Sequence, residues 1–232
     1  MENEQSWEMV TLDSSRLGTI EFVVDILPRL IGAASVTVKL TFAAMLLGVL
    51  IGAVAALMRI RRSGFWATLA GAYVVVFRGT PLVVQMLIVY FALPQVGLRY
   101  DKFTSAVIAL GVNAGAYIAE IIRAAIESID RGQMEAARSL GMSHGMAMRR
   151  VIIPQTYRRL LPPLGNEFIA MLKDTSLIAL IGGEELTRAG QHIISATFRP
   201  WPVYLTVAAI YLAMTAAFTV LVRYWERRLQ NG

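Results

Sequence analysis

The amino-acid sequence predicts an all-α membrane protein with five transmembrane helices and a helical hairpin between the third and the fourth. Hydrophobic residues make up 56% of the 232 residues, and the mean hydropathy is positive. A helix needs about 20 mostly apolar residues to cross a bilayer core. Five stretches can meet that length, at 30–58, 66–97, about 104–122, about 163–183 and 203–222.

The first stretch follows a polar, acidic segment, residues 1–27. A secretory signal peptide opens with a basic region, which this segment lacks, so we expect 30–58 to be retained as a span. The predicted organisation is an extracytoplasmic N-terminal segment (1–27), a membrane domain (28–225) and a cytoplasmic tail (226–232), with no separate soluble domain.

The second stretch is interrupted by the sequence Arg78-Gly79-Thr80-Pro81. Proline lacks an amide hydrogen and disfavours helix at the residue before it. Thr80 and Pro81 fit the N-cap and the first position of a new helix. We therefore predict two helical pieces that meet at 78–80. Because a charged Arg78 is costly at the bilayer centre, the break should lie near a surface or a wet cavity.

The third stretch carries Asn113, Tyr117 and Glu120 at i, i+4 and i+7, which places them on one helical face. Ionisable side chains inside spans are rare and usually face the protein interior or a water-filled path. These residues are candidates for lining such a path. Glu120 can also pair with Arg123 at i+3, which would be a purely structural use.

The fourth stretch is the most polar. Glu167 and Asp174 lie two turns apart on one face, and polar or charged neighbours follow at Lys173, Thr175 and Ser176. One interpretation is the lining of a path that meets a zwitterion. The alternative is that Lys173 and the two carboxylates satisfy one another within the protein.

Basic residues alternate between the two sides of the predicted spans. They follow span one (Arg59, Arg61, Arg62), span three (Arg123, Arg131, Arg138, Arg149, Arg150, Arg158, Arg159) and span five (Arg223, Arg227, Arg228). The predicted loops at 94–103 and 187–202 carry few. Since basic residues favour cytoplasmic loops, this pattern predicts the N-terminus outside and the C-terminus in the cytoplasm.

The loop at about 127–162 has helix-forming sequence rather than linker composition. Glu135 to Leu140 favour a helix, Gly141 is a natural stop, and Ser143 can cap a second helix that ends before Pro154. The prediction is a helix–turn–helix at the membrane surface.

Several function classes lack support. There is no Gly-x-x-x-x-Gly-Lys-Ser/Thr phosphate loop and no cysteine, and the two histidines, His144 and His192, lie in different predicted loops. The arginines cluster at the ends of apolar runs, which indicates membrane topology rather than nucleic-acid binding. Gly48-x-x-x-Gly52 and Gly111-x-x-x-Gly115 permit close helix packing without proving a dimer face. We expect neither an enzyme nor a metal or cofactor site.

The hairpin resembles the EAA signature of ATP-driven (ABC) importer permeases. Glu135-Ala136-Ala137, three residues, Gly141, nine residues and Val151-x-Ile153-Pro154 match the family spacing, with Val and Ile in place of Ile and Leu. The resemblance implies the type I importer permease fold. It also implies that the hairpin docks on a partner ATPase through Glu135, Ala136, Ala137, Gly141 and Pro154, and that the partner binds ATP and magnesium.

Further segments resemble the polar amino acid branch of that family. They are Phe77-Arg78-Gly79-Thr80-Pro81-Leu82, Gly115-Ala116-Tyr117-x-Ala119-Glu120-Ile121-x-Arg123, Gly132-Gln133 and Leu172-Lys173-Asp174-Thr175-Ser176-Leu177. The resemblance implies a permease for polar amino acids in the bacterial cytoplasmic membrane, with two ATPase subunits, an external solute-binding protein and a second permease chain, identical or related. The substrate path would include Asn113, Tyr117, Glu120, Glu167, Asp174, Thr175 and Ser176.

Two rival functions are a secondary transporter or channel and a structural membrane anchor. The first would not need the hairpin, and five spans is an odd number for two repeats. The polar residues inside spans three and four argue against the second.

Overall fold

A computed structural model of the chain describes residues 18–60 and 64–230. The described residues form helices joined by short connections and contain no strand. The helices are α1 (Thr19–Ile60), α2 (Phe65–Gly79), α3 (Leu82–Leu87), α4 (Lys102–Glu127), α5 (Arg131–Ser139), α6 (His144–Ala147), α7 (Ile153–Asp174), α8 (Leu186–Thr197) and α9 (Pro200–Gln230). Helical turns of other pitch extend α3 (Ile88–Ala92 and Leu93–Val96), α6 (Met148–Ile152) and α7 (Thr175–Ile181).

Three of the described helices, α1, α4 and α9, are long and apolar enough to cross a membrane. A fourth candidate is the pair formed by α2 and Leu82–Val96, bent by 104° at their junction. The predicted fourth span, 163–183, is helical as far as Ile181, but α7 is not among these candidates. Its sequence contains Arg158, Arg159, Glu167, Lys173 and Asp174. The all-helical class is confirmed, and the count of five spans stays a prediction.

The first helix begins well before the predicted span at 30–58. Phe22, Ile26 and Leu30, spaced four residues apart, are almost completely buried and pack in a cluster with residues of α8 and α9. The predicted boundary at 27/28 therefore falls inside α1. Residues 1–17 of the predicted N-terminal segment, and Arg61 and Arg62 of the predicted basic loop, lie outside the described residues.

The predicted break in the second stretch is confirmed, one residue later than expected. Pro81, rather than Thr80, is the N-cap of α3. The Thr80 hydroxyl donates to the Val76 carbonyl at 2.8 Å and so belongs to the end of α2. Pro81 fits this place because its fixed φ, −64°, suits an extended N-cap and its missing amide hydrogen is not required there.

The central contact of the fold joins α1 to α4 through the two glycine motifs. A Cβ built on Gly52 would lie 2.9 Å from the Gly115 carbonyl oxygen, and one on Gly48 would lie 3.2 Å from the Gly111 carbonyl oxygen. Only glycine lets the two backbones approach so closely. The motifs therefore pack against each other within one chain, as the packing interpretation predicted.

The hairpin begins as predicted and ends differently. Gly141 stops α5 with a φ of +81°, and the Ser143 hydroxyl caps α6 by accepting from the Met146 amide at 3.3 Å. The prediction that the second helix ends before Pro154 is wrong. A π turn at Met148–Ile152 carries the chain directly into α7, where Pro154 occupies the first turn and no amide hydrogen is needed.

The predicted loop at 187–202 is mostly helical. Glu185 caps α8, with its carboxylate accepting from the Thr187 and Arg188 amides at 2.8 and 2.7 Å and from the Tyr211 hydroxyl at 2.8 Å. The prediction missed this local cap because hydropathy follows only long apolar runs.

The start of α4 is also capped by an acidic residue. The Thr104 hydroxyl donates to Asp101, and this bond lowers the pKa of the Asp101 carboxyl.

Candidate functional site

The break between α2 and α3 brings a charged side chain towards the polar residues of α4 and α7. The Arg78 guanidinium carbon lies 5.1 Å from the centre of the Tyr117 ring, a cation–π contact. The charges of Arg78 and Asp174 both act on the carboxylate of Glu167. Residues from three helices therefore form one group: Arg78, Tyr117, Glu167 and Asp174, called here the central charged group.

Arg78 was missed as a member of this group by sequence reasoning, which treated it only as a cost at the helix break. The signal in the sequence that could have identified Arg78 was its place as a basic residue beside a proline break in an apolar stretch. Such a break leaves backbone carbonyls without helical partners, and a charge placed there can be held towards a polar interior.

Two amide side chains hold the break in place. Asn113 donates to the Phe77 carbonyl at 3.0 Å and to the Gln85 side-chain oxygen at 3.1 Å. Gln85, which is 7% exposed, donates to the carbonyls of Phe77 and Thr80 at 2.9 and 3.1 Å. These bonds satisfy carbonyls that the end of α2 leaves open. Asn113 thus positions the residue next to Arg78, in addition to lying on the same face as Tyr117.

The two α7 carboxylates are not paired with Lys173. Within the described residues, neither Glu167 nor Asp174 accepts a hydrogen bond or forms an ion pair within 4.0 Å. Lys173 is exposed and, as the neighbour of Asp174 along the helix, points about 100° away from it. The charge of Lys173 nevertheless acts on Asp174, so the lining of a path and the mutual satisfaction of these charges both stay predictions.

The residues that follow Asp174 face different ways. Thr175 is completely buried, and its hydroxyl donates to the Leu172 carbonyl at 2.8 Å. Ser176 is partly exposed. Both lie in the 3-10 turn that extends α7, where three residues per turn change the direction of successive side chains relative to the α-helix.

Glu120 is occupied by ion pairs at the end of the same helical face. Its carboxylate contacts Arg59 of α1 at 2.5 Å and also pairs with Arg123, which in turn pairs with Glu127. The predicted pairing with Arg123 is confirmed. Glu120 links the ends of α1 and α4, whereas the carboxylates of α7 have no such partner.

The hairpin turn is held by two backbone hydrogen bonds. The Met142 amide donates to the Ala137 carbonyl at 3.2 Å and the Gly141 amide to the Arg138 carbonyl at 3.0 Å, the pattern of a Schellman motif. Ala137 is buried, whereas Glu135, Ala136 and Pro154 are exposed. Next to the turn, Leu140 is 80% exposed, an unusual position for a large apolar side chain.

The described residues contain no group of three or more histidine, cysteine or acidic side chains that could hold a metal ion.

Comparison with known proteins shows the family: residues 48–231 match the binding-protein-dependent transport system inner membrane component. The chain belongs to this family. It is therefore a membrane-embedded transport subunit of the inner membrane and not an enzyme, and the family implies ATPase and solute-binding partners.

Characterised relatives match over most of their length. The glutamine transport system permease protein GlnP of Escherichia coli (strain K12) is 43% identical over 208 residues, which cover 88% of this chain and 94% of GlnP. The arginine transport system permease protein ArtQ of Bacillus subtilis (strain 168) is 34% identical, with coverage of 89% and 94%. The nopaline transport system permease protein NocM of Agrobacterium fabrum is 37% identical, with coverage of 89% and 90%.

Solved structures agree with the fold. A crystal structure of an amino acid ABC transporter with histidines superposes with a TM-score of 0.86 at 47% identity, covering 91% of this chain and 99% of that chain. The MetNI methionine ABC transporter, in an inward-facing form, reaches a TM-score of 0.75 at 21% identity and supports the fold alone. The resemblance to permeases of polar amino acid ABC importers, read from the motifs, is confirmed.

Proposed function

We propose that this permease carries polar amino acids inward across the cytoplasmic membrane and that the central charged group lines their path. The observation that supports the proposal is the pair of α7 carboxylates, Glu167 and Asp174. Among the described residues they accept no hydrogen bond and form no ion pair within 4.0 Å, and the charge of Arg78 acts on Glu167. The relatives named for glutamine, arginine and nopaline transport support amino acids as the substrate class.

The chemistry of a free amino acid suits this group. Its ammonium can donate charge-assisted hydrogen bonds to Glu167 or Asp174, each worth roughly 1.5–3 kcal/mol. Its carboxylate can accept from Arg78, whose planar guanidinium matches carboxylate geometry. A shallow, hydrated contact is favourable for transport because a deep site would retain the substrate. Tyr117 and Ser176 would complete the lining, and Asn113 and the buried Thr175 would support it. Glu120 would instead serve the α1–α4 junction.

The hairpin supplies the coupling. Glu135, Ala136 and Ala137 form the helix that precedes the turn at Gly141, and Pro154 starts the helix that leads to the central charged group. Movement of the hairpin by a docked ATPase can therefore pass along continuous helix to Glu167 and Asp174. ATP and magnesium bind to the two ATPase subunits, and this chain needs no cofactor.

The assembly contains a second permease chain, either a copy of this one or a related chain, and an external solute-binding protein that delivers the amino acid. The basic residues near the C-terminal ends of α1 and α9, and those in the hairpin after α4, favour the N-terminus outside and the C-terminus in the cytoplasm.

The test is ATP-dependent uptake into vesicles that contain the permease, its ATPase and an external binding protein. We expect accumulation of a radiolabelled amino acid only when ATP and both partners are present. The permease alone should hydrolyse no ATP, because it lacks a phosphate loop. Uptake that persists without the ATPase would overturn the proposal in favour of a secondary transporter.

A further inference from the structure

A wholly apolar groove runs along the outside of the helix bundle between α7 and α9. Its volume is about 250 Å³, and its walls include Leu161 and Phe168 of α7 and Trp225 of α9. Three aromatic rings close one end: Phe168 lies 5.0 Å from Phe42 of α1 and 4.8 Å from Phe218 of α9, measured between ring centres. From Leu161 to Phe168 the groove follows about 10 Å of helix.

The groove exists because α7 and α9 approach closely at a glycine. A Cβ on Gly165 would lie 2.5 Å from a Val222 methyl group, so no larger residue fits without a shift. Gly165 contacts Val222 and, further along α7, Phe168 contacts Phe218. Rising numbers on α7 meet falling numbers on α9, so the two helices run antiparallel, and Leu161 and Trp225 lie at the same end of the groove.

Both helices carry an arginine one turn beyond that end. Arg158 precedes Leu161 by three residues, Arg228 follows Trp225 by three residues, and both arginines are exposed. Arg228 stacks 5.5 Å from the centre of the Tyr224 ring. Exposed tyrosine and tryptophan beside arginine are typical of the level where hydrocarbon gives way to lipid head groups.

From this arrangement we infer that the groove binds an anionic phospholipid, with an acyl chain between α7 and α9 and the phosphate at Arg158 and Arg228. The apolar walls suit a hydrocarbon chain, and basic clusters at the ends of membrane helices favour anionic head groups. A second copy of the chain fits the groove less well. The end of α9 carries three arginines and one acidic residue (Arg223, Glu226, Arg227 and Arg228), so two copies would bring like charges together. This inference does not depend on the substrate.

The experiment is native mass spectrometry of the purified, delipidated full-length chain, titrated with phosphatidylglycerol or phosphatidylcholine. We expect tighter binding of phosphatidylglycerol. Arg158→Ala and Arg228→Ala should each weaken it roughly fivefold, and the double variant about 25-fold. The matched control is Arg99→Ala, which removes an exposed arginine far from the groove in sequence and leaves the affinity unchanged.

A second variant tests the groove itself. Leu161→Trp fills the apolar space and keeps both arginines, so bound phosphatidylglycerol should fall while elution volume and melting temperature stay near wild type. Equal affinity for the two lipids, or wild-type binding by the double arginine variant, would overturn the inference. So would efficient cross-linking between Leu161→Cys and Leu221→Cys of two chains, which would assign the groove to a second copy.

Discussion

At the scale of single residues, four carboxylates differ in their hydrogen-bond and ion-pair partners. Glu120 is held by two arginines, and the buried Glu185 accepts from two backbone amides and Tyr211. Glu167 and Asp174 have no such partners among the described residues. This lack of protein partners is why we propose that the two α7 carboxylates contact the substrate.

We expect Asp174→Asn and Glu167→Gln to assemble normally and to change transport. Each substitution removes a charge that favours the ammonium of an amino acid, so uptake should fall about 10- to 100-fold or its selectivity should change. The measurement is uptake in reconstituted vesicles, with Glu184→Gln, an exposed carboxylate outside the group, as the control. Wild-type rate and selectivity in both variants would make these carboxylates structural.

Gly141 combines a left-handed backbone conformation with a proposed role in coupling. Its φ of +81° is strained for residues with a side chain, although the space around a Cβ there is open. Gly141→Asp should therefore reach the membrane at near-normal levels and lose most ATP-dependent uptake. Gly141→Asn is the matched control of equal size, because asparagine tolerates this conformation and adds no charge. Wild-type uptake by Gly141→Asp with the ATPase bound would show that the turn does not couple.

At the scale of helices, the fold depends on how closely α1 and α4 approach. A Cβ at Gly52 would lie 2.8 Å from Ile118 side-chain carbons, whereas one at Gly32, in the same helix, would contact nothing within 4 Å. The two glycines have the same sequence context of small and apolar neighbours. Only the partner helix makes one of them essential.

We predict that Gly52→Ala destabilises the protein and that Gly32→Ala does not. Overpacking at Gly52 should cost about 1–3 kcal/mol, whereas alanine at Gly32 favours the helix by up to about 1 kcal/mol. Thermal unfolding of both variants in the same detergent measures the difference. Equal melting temperatures would mean that α1 and α4 can move apart at Gly52 without lowering the stability of the protein.

At the scale of the whole molecule, the proposed topology places the hairpin on the cytoplasmic side of the membrane and the loops near α8 on the other side. The native chain has no cysteine, so labelling has a clean background. Cysteine at Ser6 should react with an impermeant thiol reagent added outside intact cells, and cysteine at Ser139, exposed at the end of α5, should react only after permeabilisation. The reverse pattern would invert the proposed topology.

Long-range apolar patterning and short motifs were enough to predict the all-helical class, the break at 78–80, the turn at Gly141 and the family. Each of these features depends on the hydrophobicity or the backbone preferences of residues that are close together in the sequence. The continuation of the hairpin through Pro154 and the cap of α8 were missed. A π turn and a buried carboxylate cap cannot be read from hydropathy.

The sequence by itself determined which stretches are apolar enough to enter a membrane, that a helix breaks at 78–80 and which family the chain resembles. Only the tertiary structure decided that Glu120 belongs to an ion cluster, that the charge of Arg78 acts on Glu167, and that Gly52 rather than Gly32 packs against another helix. The physical reason is that partners in these contacts come from distant parts of the chain, as with Arg59 and Glu120. Whether a charge is neutralised or available depends on those partners and not on its own helix.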